Sequence, residues 1–293
     1  MQAVCLREPN CISALENLSN AYLIDMILWE LCQEAAMSRD SILIDARTLN
    51  DRVQARDPRL VILAMGCGGE GIPTAVPVDL AAFAGPAGKL NGARPLPDLA
   101  TLQAAARSWG IHSDSEVVFY DSDGNLSAAR GWWTLKWAGV TSVRLLDGGL
   151  PAWEGGGYSF AALDPTPRDG TISLNGGRMP QVDAAAAADY AKNHMLLDAR
   201  AYRAFQDGHI PGAVNLPASG NLDGNDLFLP EAALRKRYGI IGGRKVAVSC
   251  RSGVLATHTV AALATIDIEA SLFVGSYSAW SADRTRPIVV GAL

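Results

Sequence analysis

What the 293-residue chain lacks narrows its class before any motif is read. Charged residues make up only 19% of it and aromatic residues 7%, and no basic run interrupts a formal net charge of -5. Nucleic acid and anionic membrane surfaces are therefore not expected as main partners, because both are bound through clustered Lys and Arg. No apolar run is long enough to cross a bilayer: AYLIDMILWEL (Ala21 to Leu31) is short and is broken by Asp25 and Glu30. The opening residues also lack the basic start, clean apolar core and small-residue cleavage site of a secretory signal. There are only five cysteines, scattered, with no CxxC pair among them. That scatter argues against a disulfide framework or a redox pair and for a reducing compartment, so a cytoplasmic location is expected.

The length suffices for two domains of ordinary size, each burying its own core. The most informative stretch is VAVSCRSGVLATHTVAALA, in which Lys245 to Ser249 reads as a short buried strand and Leu255 to Thr265 as a helix. Cys250 then opens a tight strand-to-helix turn. A loop entering a helix N-terminus aims several backbone N–H groups at one point, Arg251 adds positive charge, and Gly253 is free to take left-handed angles. This is a setting for a thiolate nucleophile. The competing reading is a small buried hydrophobe after a strand.

An internal repeat favours the nucleophile. VVFYDSDGNLS (Val117 to Ser127) overlays VAVSCRSGVLA (Val246 to Ala256) without a gap, setting Gly124 on Gly253 and Asp121 on Cys250. LLDGGLPAW (Leu145 to Trp153) overlays LFVGSYSAW (Leu272 to Trp280), Gly148 on Gly275 and Trp153 on Trp280. GIPTAVPVDL (Gly71 to Leu80) parallels HIPGAVNLPA (His209 to Ala218). LIDAR (Leu43 to Arg47) is not the counterpart of LLDAR (Leu196 to Arg200), since Leu196 precedes Ile210 by 14 residues whereas Leu43 precedes Ile72 by 29. LIDAR is expected to lead into a helix and not to form a core strand, with Val61 to Met65 as the true counterpart.

The motifs IPTAVPVDL, AARGWW (Ala128 to Trp133), LLDGGLPAW, DGHIPGAVNLP (Asp207 to Pro217), CRSGVLA and GSYSAW followed by SADRTRP occur in order over about Ser41 to Gly291. In these the chain resembles the tandem-domain rhodanese-type sulfurtransferases, the thiosulfate and 3-mercaptopyruvate sulfurtransferase family. The resemblance implies an α/β fold of two tandem rhodanese-like domains, each a mostly parallel sheet flanked by helices. Their expected bounds are an N-terminal extension at 1–40, a non-catalytic domain at 41–154, a Gly- and Pro-rich linker at 155–181 and a catalytic domain at 182–293. Ala21 to Met37 reads as a short amphipathic helix outside the resemblance. Met37 is expected to be the real start, with residues 1 to 36 dispensable, an expectation that intact mass showing residue 1 retained on the native protein would refute.

The resemblance further implies double displacement, in which Cys250 takes sulfur from a donor, holds it as a persulfide and passes it to a nucleophilic acceptor. The loop N–H groups are expected to stabilise the persulfide's outer sulfur. No cofactor or metal is required. Carried over residue by residue, Arg251 and Arg203 bind the anionic head of the donor, and Ser252 bonds donor or persulfide. Gly253, Val254 and Leu255 complete the loop. Asp198 and Arg200 are expected to be structural, and so is His209, its ring holding a turn. Trp280 and Tyr277 are expected to pack the core and the pocket edge. Asp121 cannot carry sulfur, so the first domain reads as catalytically silent, lending Leu126 and Ser127 to a pocket wall while Arg130 bridges the domains. Cys67, in a glycine-rich loop, is a weak candidate for a second, resolving thiol.

Departures from the family bear on the donor. Enzymes specialised for 3-mercaptopyruvate carry a loop like CGSGVT, whereas this chain has Arg251 and Leu255 at the glycine and threonine positions. Only Gln206 and Asp207 separate Phe205 from GHIPGA, leaving no counterpart for a second carboxylate-binding arginine. Thiosulfate is therefore favoured over 3-mercaptopyruvate, with cyanide, a thiol or a thioredoxin-like protein as acceptor and a monomer as the working state. A persulfide carrier or regulatory binding module with little turnover is the alternative of a different class. A phosphatase reading is weaker, because no arginine closes the loop by Ala256 and Thr257.

Overall fold

A computed structural model describes residues 38–291, so the helix expected over Ala21 to Met37 and the cysteines Cys5, Cys11 and Cys32 lie outside the described residues. The first half runs α1 (Arg39–Ile42), β1 (Leu43–Ile44), α2 (Ala46–Gln54), β2 (Leu60–Met65), β3 (Glu70–Gly71) and β4 (Val76–Val78). It continues through α3 (Leu99–Ser108), β5 (Glu116–Tyr120), α4 (Ala128–Trp137), β6 (Val143–Leu146), α5 (Gly149–Gly155) and β7 (Ala161–Ala162). The second half runs β8 (Gln181–Val182), α6 (Ala184–Asn193), β9 (Met195–Asp198), α7 (Tyr202–Gln206) and β10 (Val214–Asn215). It ends with α8 (Glu231–Arg237), β11 (Val246–Ser249), α9 (Val254–Ala264), β12 (Ala270–Phe273) and α10 (Ser276–Ala282). None of these helices is long and apolar enough to cross a membrane.

The strands order as β1-β6-β5-β2-β4 in one sheet and β8-β12-β11-β9-β10 in the other, all parallel. The two orders correspond strand for strand, which confirms the α/β fold of paired parallel sheets. Parallel strands covered on both faces read as unbroken apolar runs, and VVFY of β5 and VAVS of β11 are buried throughout. Both are the central strands of their sheets, and Asp121 and Cys250 follow directly at their C-terminal ends, where open α/β sheets bind ligands.

Short acidic caps start several helices. The carboxylates of Asp45, Asp98 and Asp183 accept the N–H groups of Thr48, Thr101 and Ala186, each satisfying one of the orphan donors of a first turn. Asp45 and Asp183 occupy equivalent places, so the counterpart of LIDAR is QVDA at Gln181 to Ala184. A helix does follow LIDAR, but Leu43–Ile44 form a strand after all, a buried edge strand paired with β6 as β8 pairs with β12. The sequence pattern hides it because two residues carry no periodicity.

The segment joining the two halves runs along the first. Ala161–Ala162 pairs with Glu70–Gly71, and the N–H groups of Arg168, Gly170, Asn175 and Arg178 donate to carbonyls of Ser108, Arg107, Ala138 and Trp137. The halves themselves meet through α4 and α9, the helices that follow the two loops. Ala128 to Leu135 of α4 are all buried, as is every residue of α9 except Leu255. A helix apolar around most of its circumference must be covered on every side, and α9 has its own sheet on one side and α4 on the other.

Candidate active site

The turn from Cys250 to Gly253 is held from beneath by α10. Cys250 N–H donates to Ser276 Oγ (3.2 Å), while the carbonyls of Cys250 and Arg251 accept from the N–H groups of Tyr277 (3.0 Å) and Ser278 (2.9 Å). Gly253 N–H points back at Cys250 Sγ, 3.1 Å away. That geometry needs a left-handed φ of 76° at Gly253, and a Cβ there would lie 2.7 Å from the Val274 carbonyl oxygen and 3.0 Å from an Arg130 nitrogen. Only glycine meets both demands.

Cys250 is 1% exposed. Arg251 is exposed beside it, Ser252 and Val254 are buried, and Leu255 is half-buried at the start of α9. These residues form one turn around the sulfur.

Ser276 went unrecognised in the sequence. It is buried with φ 50°, a conformation side chains other than glycine's rarely adopt, and its hydroxyl donates to Phe273 O (2.8 Å) while accepting the Cys250 N–H. The first half has Gly149 at this place with φ 58°. The one signal available was therefore a serine in a slot that the repeat fills with glycine.

The first half contributes directly. Arg130, fully buried on α4, donates to Gly253 O (3.3 Å) and also to the carbonyls of Phe83 (3.2 Å), Arg94 (3.1 Å) and Pro95 (3.4 Å). Burial holds its pKa down to about 10, opposed by the neighbouring Cys250 and assisted by the positive charge of Arg94. Arg94 in turn sends Nη1 to Ser252 Oγ (3.4 Å). Arg130 thus bridges the halves as expected, and Arg94, absent from the expected set, reaches the loop as well. Leu126 and Ser127 are half-buried on the first half's own loop.

That loop is a control for the one bearing Cys250. The Asp121 carboxylate accepts four backbone N–H groups, from Asp123 (2.9 Å), Asn125 (2.7 Å), Ser127 (2.8 Å) and Ala128 (2.9 Å). A turn of this type therefore gathers N–H donors around whatever anion stands at its first residue. Cys67 lies against this loop, its sulfur 3.5 Å from Ser122 Oγ, and burial raises its pKa. A raised thiol is a poor resolving nucleophile.

Asp198 and Arg200 form a forked ion pair at 2.6 to 3.0 Å, with Arg200 also donating to Gly208 O (2.9 Å) and stacking 4.2 Å above the Tyr277 ring. Both are buried, and Asp198 stands opposite Ser249 in register, which makes the pair a rigid wall beside the cysteine strand. His209 is fully buried and stacks on Phe205 at 3.7 Å, its Nδ1 donating to the Phe205 carbonyl (2.9 Å). That hydrogen bond fixes the turn and leaves Nε2 with no partner among the described residues. In the first half a side chain at Gly71, its counterpart, would collide with the Tyr120 hydroxyl and Leu163. Trp280 is buried, its Nε1 donating to Pro287 O (2.9 Å). Arg203 is exposed on α7, and no hydrogen bond or ion pair ties it to the loop among the described residues.

The rhodanese-like domain pattern matches residues 29–155 and again 182–283. A putative thiosulfate sulfurtransferase of Mycobacterium tuberculosis, SseB, is 41% identical over 215 residues, covering 68% of this chain and 75% of that one. A probable 3-mercaptopyruvate sulfurtransferase of Pseudomonas aeruginosa is 36% identical over 219 residues, covering 69% and 77%. Among solved structures, SseA of Escherichia coli, described as having the rhodanese fold and as a 3-mercaptopyruvate sulfotransferase, superposes with a TM-score of 0.70. It is 25% identical in sequence, and the match covers 80% of this chain and 98% of that one.

Proposed function

The chain belongs to the rhodanese-like domain family, and we propose that it is a sulfurtransferase in which Cys250 carries the sulfur. The observation that carries this reading is the 3.1 Å approach of Gly253 N–H to Cys250 Sγ at the end of the central strand. A buried donor aimed at the sulfur is placed to stabilise charge developing there during transfer, and the first-turn N–H groups of α9, which have no partner within the helix, are available to a second sulfur bonded to it. The anion-filled loop at Asp121 supports the same view of what such a turn does.

In the first step the thiolate attacks the outer sulfur of thiosulfate. The Sγ–S bond forms as the donor's S–S bond breaks, and the electron pair leaves with sulfite. In the second step a thiolate or cyanide attacks the outer sulfur of the persulfide, and the Sγ–S electron pair returns to Cys250. With 3-mercaptopyruvate the bond broken is C–S, and its electrons leave as the enolate of pyruvate, which takes a proton from water. Thiosulfate is the favoured donor. Arg251 is exposed beside the cysteine and unpaired with any carboxylate among the described residues, and a dianion gains more from it than a monoanion. The name carried by the Mycobacterium relative points the same way.

The test compares turnover from both donors in wild type and Cys250→Ser, with mass spectrometry following the gain of one sulfur atom on Cys250. Loading by thiosulfate, faster turnover with it than with 3-mercaptopyruvate, and loss of both in Cys250→Ser are expected. Faster turnover with 3-mercaptopyruvate would reverse the donor preference. Absence of any persulfide would remove the enzyme reading.

A further inference from the structure

Among the described residues of the second half, Arg200 is committed to Asp198, and Arg203 makes no hydrogen bond or ion pair that fixes it beside the cysteine loop. A second cation comes from the first half. The chain at Gly92 to Pro95 crosses onto the catalytic loop and is anchored there. A Cβ on Gly92 would lie 2.6 Å from the Gly275 carbonyl oxygen, Ala93 N–H donates to Ser278 Oγ (2.9 Å), and the Arg94 and Pro95 carbonyls receive the buried guanidinium of Arg130. Pro95 further restricts the backbone of Arg94. A fixed backbone thus delivers the guanidinium of an exposed arginine to Ser252 Oγ, 3.4 Å away.

What that guanidinium lacks is equally telling. The chain is acidic, with 30 Asp and Glu against 25 Lys and Arg, and several of its arginines find carboxylates: Arg52 and Arg144 on Glu116, Arg39 on Asp147, Arg286 on Asp283. Arg94 has no carboxylate among the described residues and touches only a neutral hydroxyl of the cysteine loop. Five N–H donors in a rigid fork, four of them unspent, suit an oxyanion such as a sulfonate or carboxylate. The influence of Arg94 and Cys250 on the same buried Arg130 places all three charges within one electrostatic neighbourhood.

We propose that Arg94, lent by the non-catalytic half, binds the anionic head of the sulfur donor at the Cys250 loop and so determines donor specificity together with Arg251. This rests on the sulfur-transfer reading above. It assigns the silent half a part in the chemistry, and it adds a second cation to Arg251.

Two measurements test it independently. Thiosulfate binding is followed by calorimetry in Cys250→Ala, which cannot turn over, and in Cys250→Ala with Arg94→Gln. Steady-state kinetics are followed in Arg94→Gln and Arg94→Lys with thiosulfate and with a neutral dialkyl trisulfide. Loss of a charge-assisted contact is expected to weaken thiosulfate binding and raise its KM about tenfold in Arg94→Gln, with KM for the trisulfide moving less than about twofold and Arg94→Lys recovering part of the loss. Unchanged thiosulfate binding and KM in Arg94→Gln would overturn the inference, and so would an equal loss with both donors, which marks a merely structural residue. Failure of Cys250→Ala to bind thiosulfate at all would overturn it too. If wild type forms no persulfide yet Cys250→Ala binds thiosulfate through Arg94, the anion site stands and the sulfur-transfer reading falls.

Discussion

Arg130 on α4 of one half and Gly253 in the cysteine turn of the other are joined by a hydrogen bond of 3.3 Å, formed with the guanidinium fully buried. The same guanidinium collects three further carbonyls from Phe83, Arg94 and Pro95. Arg130→Met is expected to cost about 3 kcal/mol or more, because buried carbonyls lose a charged donor. Arg130→Lys should recover little, since a single ammonium cannot fork to carbonyls lying in different directions. Urea midpoints for the two variants check this, and a neutral outcome for either would mean that water replaces the guanidinium.

Asp121→Ala removes an acceptor from four backbone N–H groups in a buried turn. A loss of about 2 to 4 kcal/mol is expected, with Asp121→Asn intermediate because one oxygen remains. Sulfur loading of Cys250 in the folded variant should match wild type. Chemical denaturation and intact-protein mass after thiosulfate treatment measure the two effects separately.

Ser276 separates strain from function. Ser276→Gly should relieve about 1 kcal/mol of left-handed strain, partly offsetting the lost hydrogen bonds, whereas Ser276→Ala keeps the strain and loses the bonds. Both leave the Cys250 N–H without its acceptor, so both should slow persulfide formation to a similar degree. Stopped-flow loading rates set beside melting temperatures decide it, and equal rates in Ser276→Gly and wild type would sink the idea.

His258, on α9, is fully buried, stacked on Phe228 at 4.6 Å, with burial pushing its pKa down from 6.5 to about 3. Asn221 Oδ1 already accepts from Tyr238 (2.6 Å) and Arg237 (3.1 Å), so its amide faces His258 Nδ1 (3.4 Å) and the ring hydrogen lies on Nε2. Below pH 6.5 the unfolded chain takes up a proton that the folded chain refuses until about pH 3. Stability should therefore fall as pH drops through that window, by up to about 1.4 kcal/mol per unit from this group. His258→Gln should narrow the difference between urea midpoints at pH 7 and pH 5.

The cysteine turn and the repeat were legible because each is local: a strand, a glycine and a loop lie within one short stretch. Arg94 was not. Its part depends on which turn the opposite half sets beside it, and ARPLPD contains nothing that says so. Ser276 lay in between, visible only to a comparison of Gly149 with its partner position, since a serine alone carries no mark of a left-handed backbone. The edge strand at Leu43–Ile44 escaped because its pairing partner β6 lies about a hundred residues along the chain.

The burial of α9 against α4 also decides what the gene can be divided into. Cutting the connecting segment would not yield two working proteins, because each piece would bare the apolar helix that the other covers. A nicked chain would be expected to stay together, its pieces held by Arg130, by Asp147 accepting the Phe228 N–H (2.8 Å) and by the packed helices. The unit that evolution can copy, lose or recombine is then the pair and not the single repeat. The half without a nucleophile persists as the cover of the other's apolar helix.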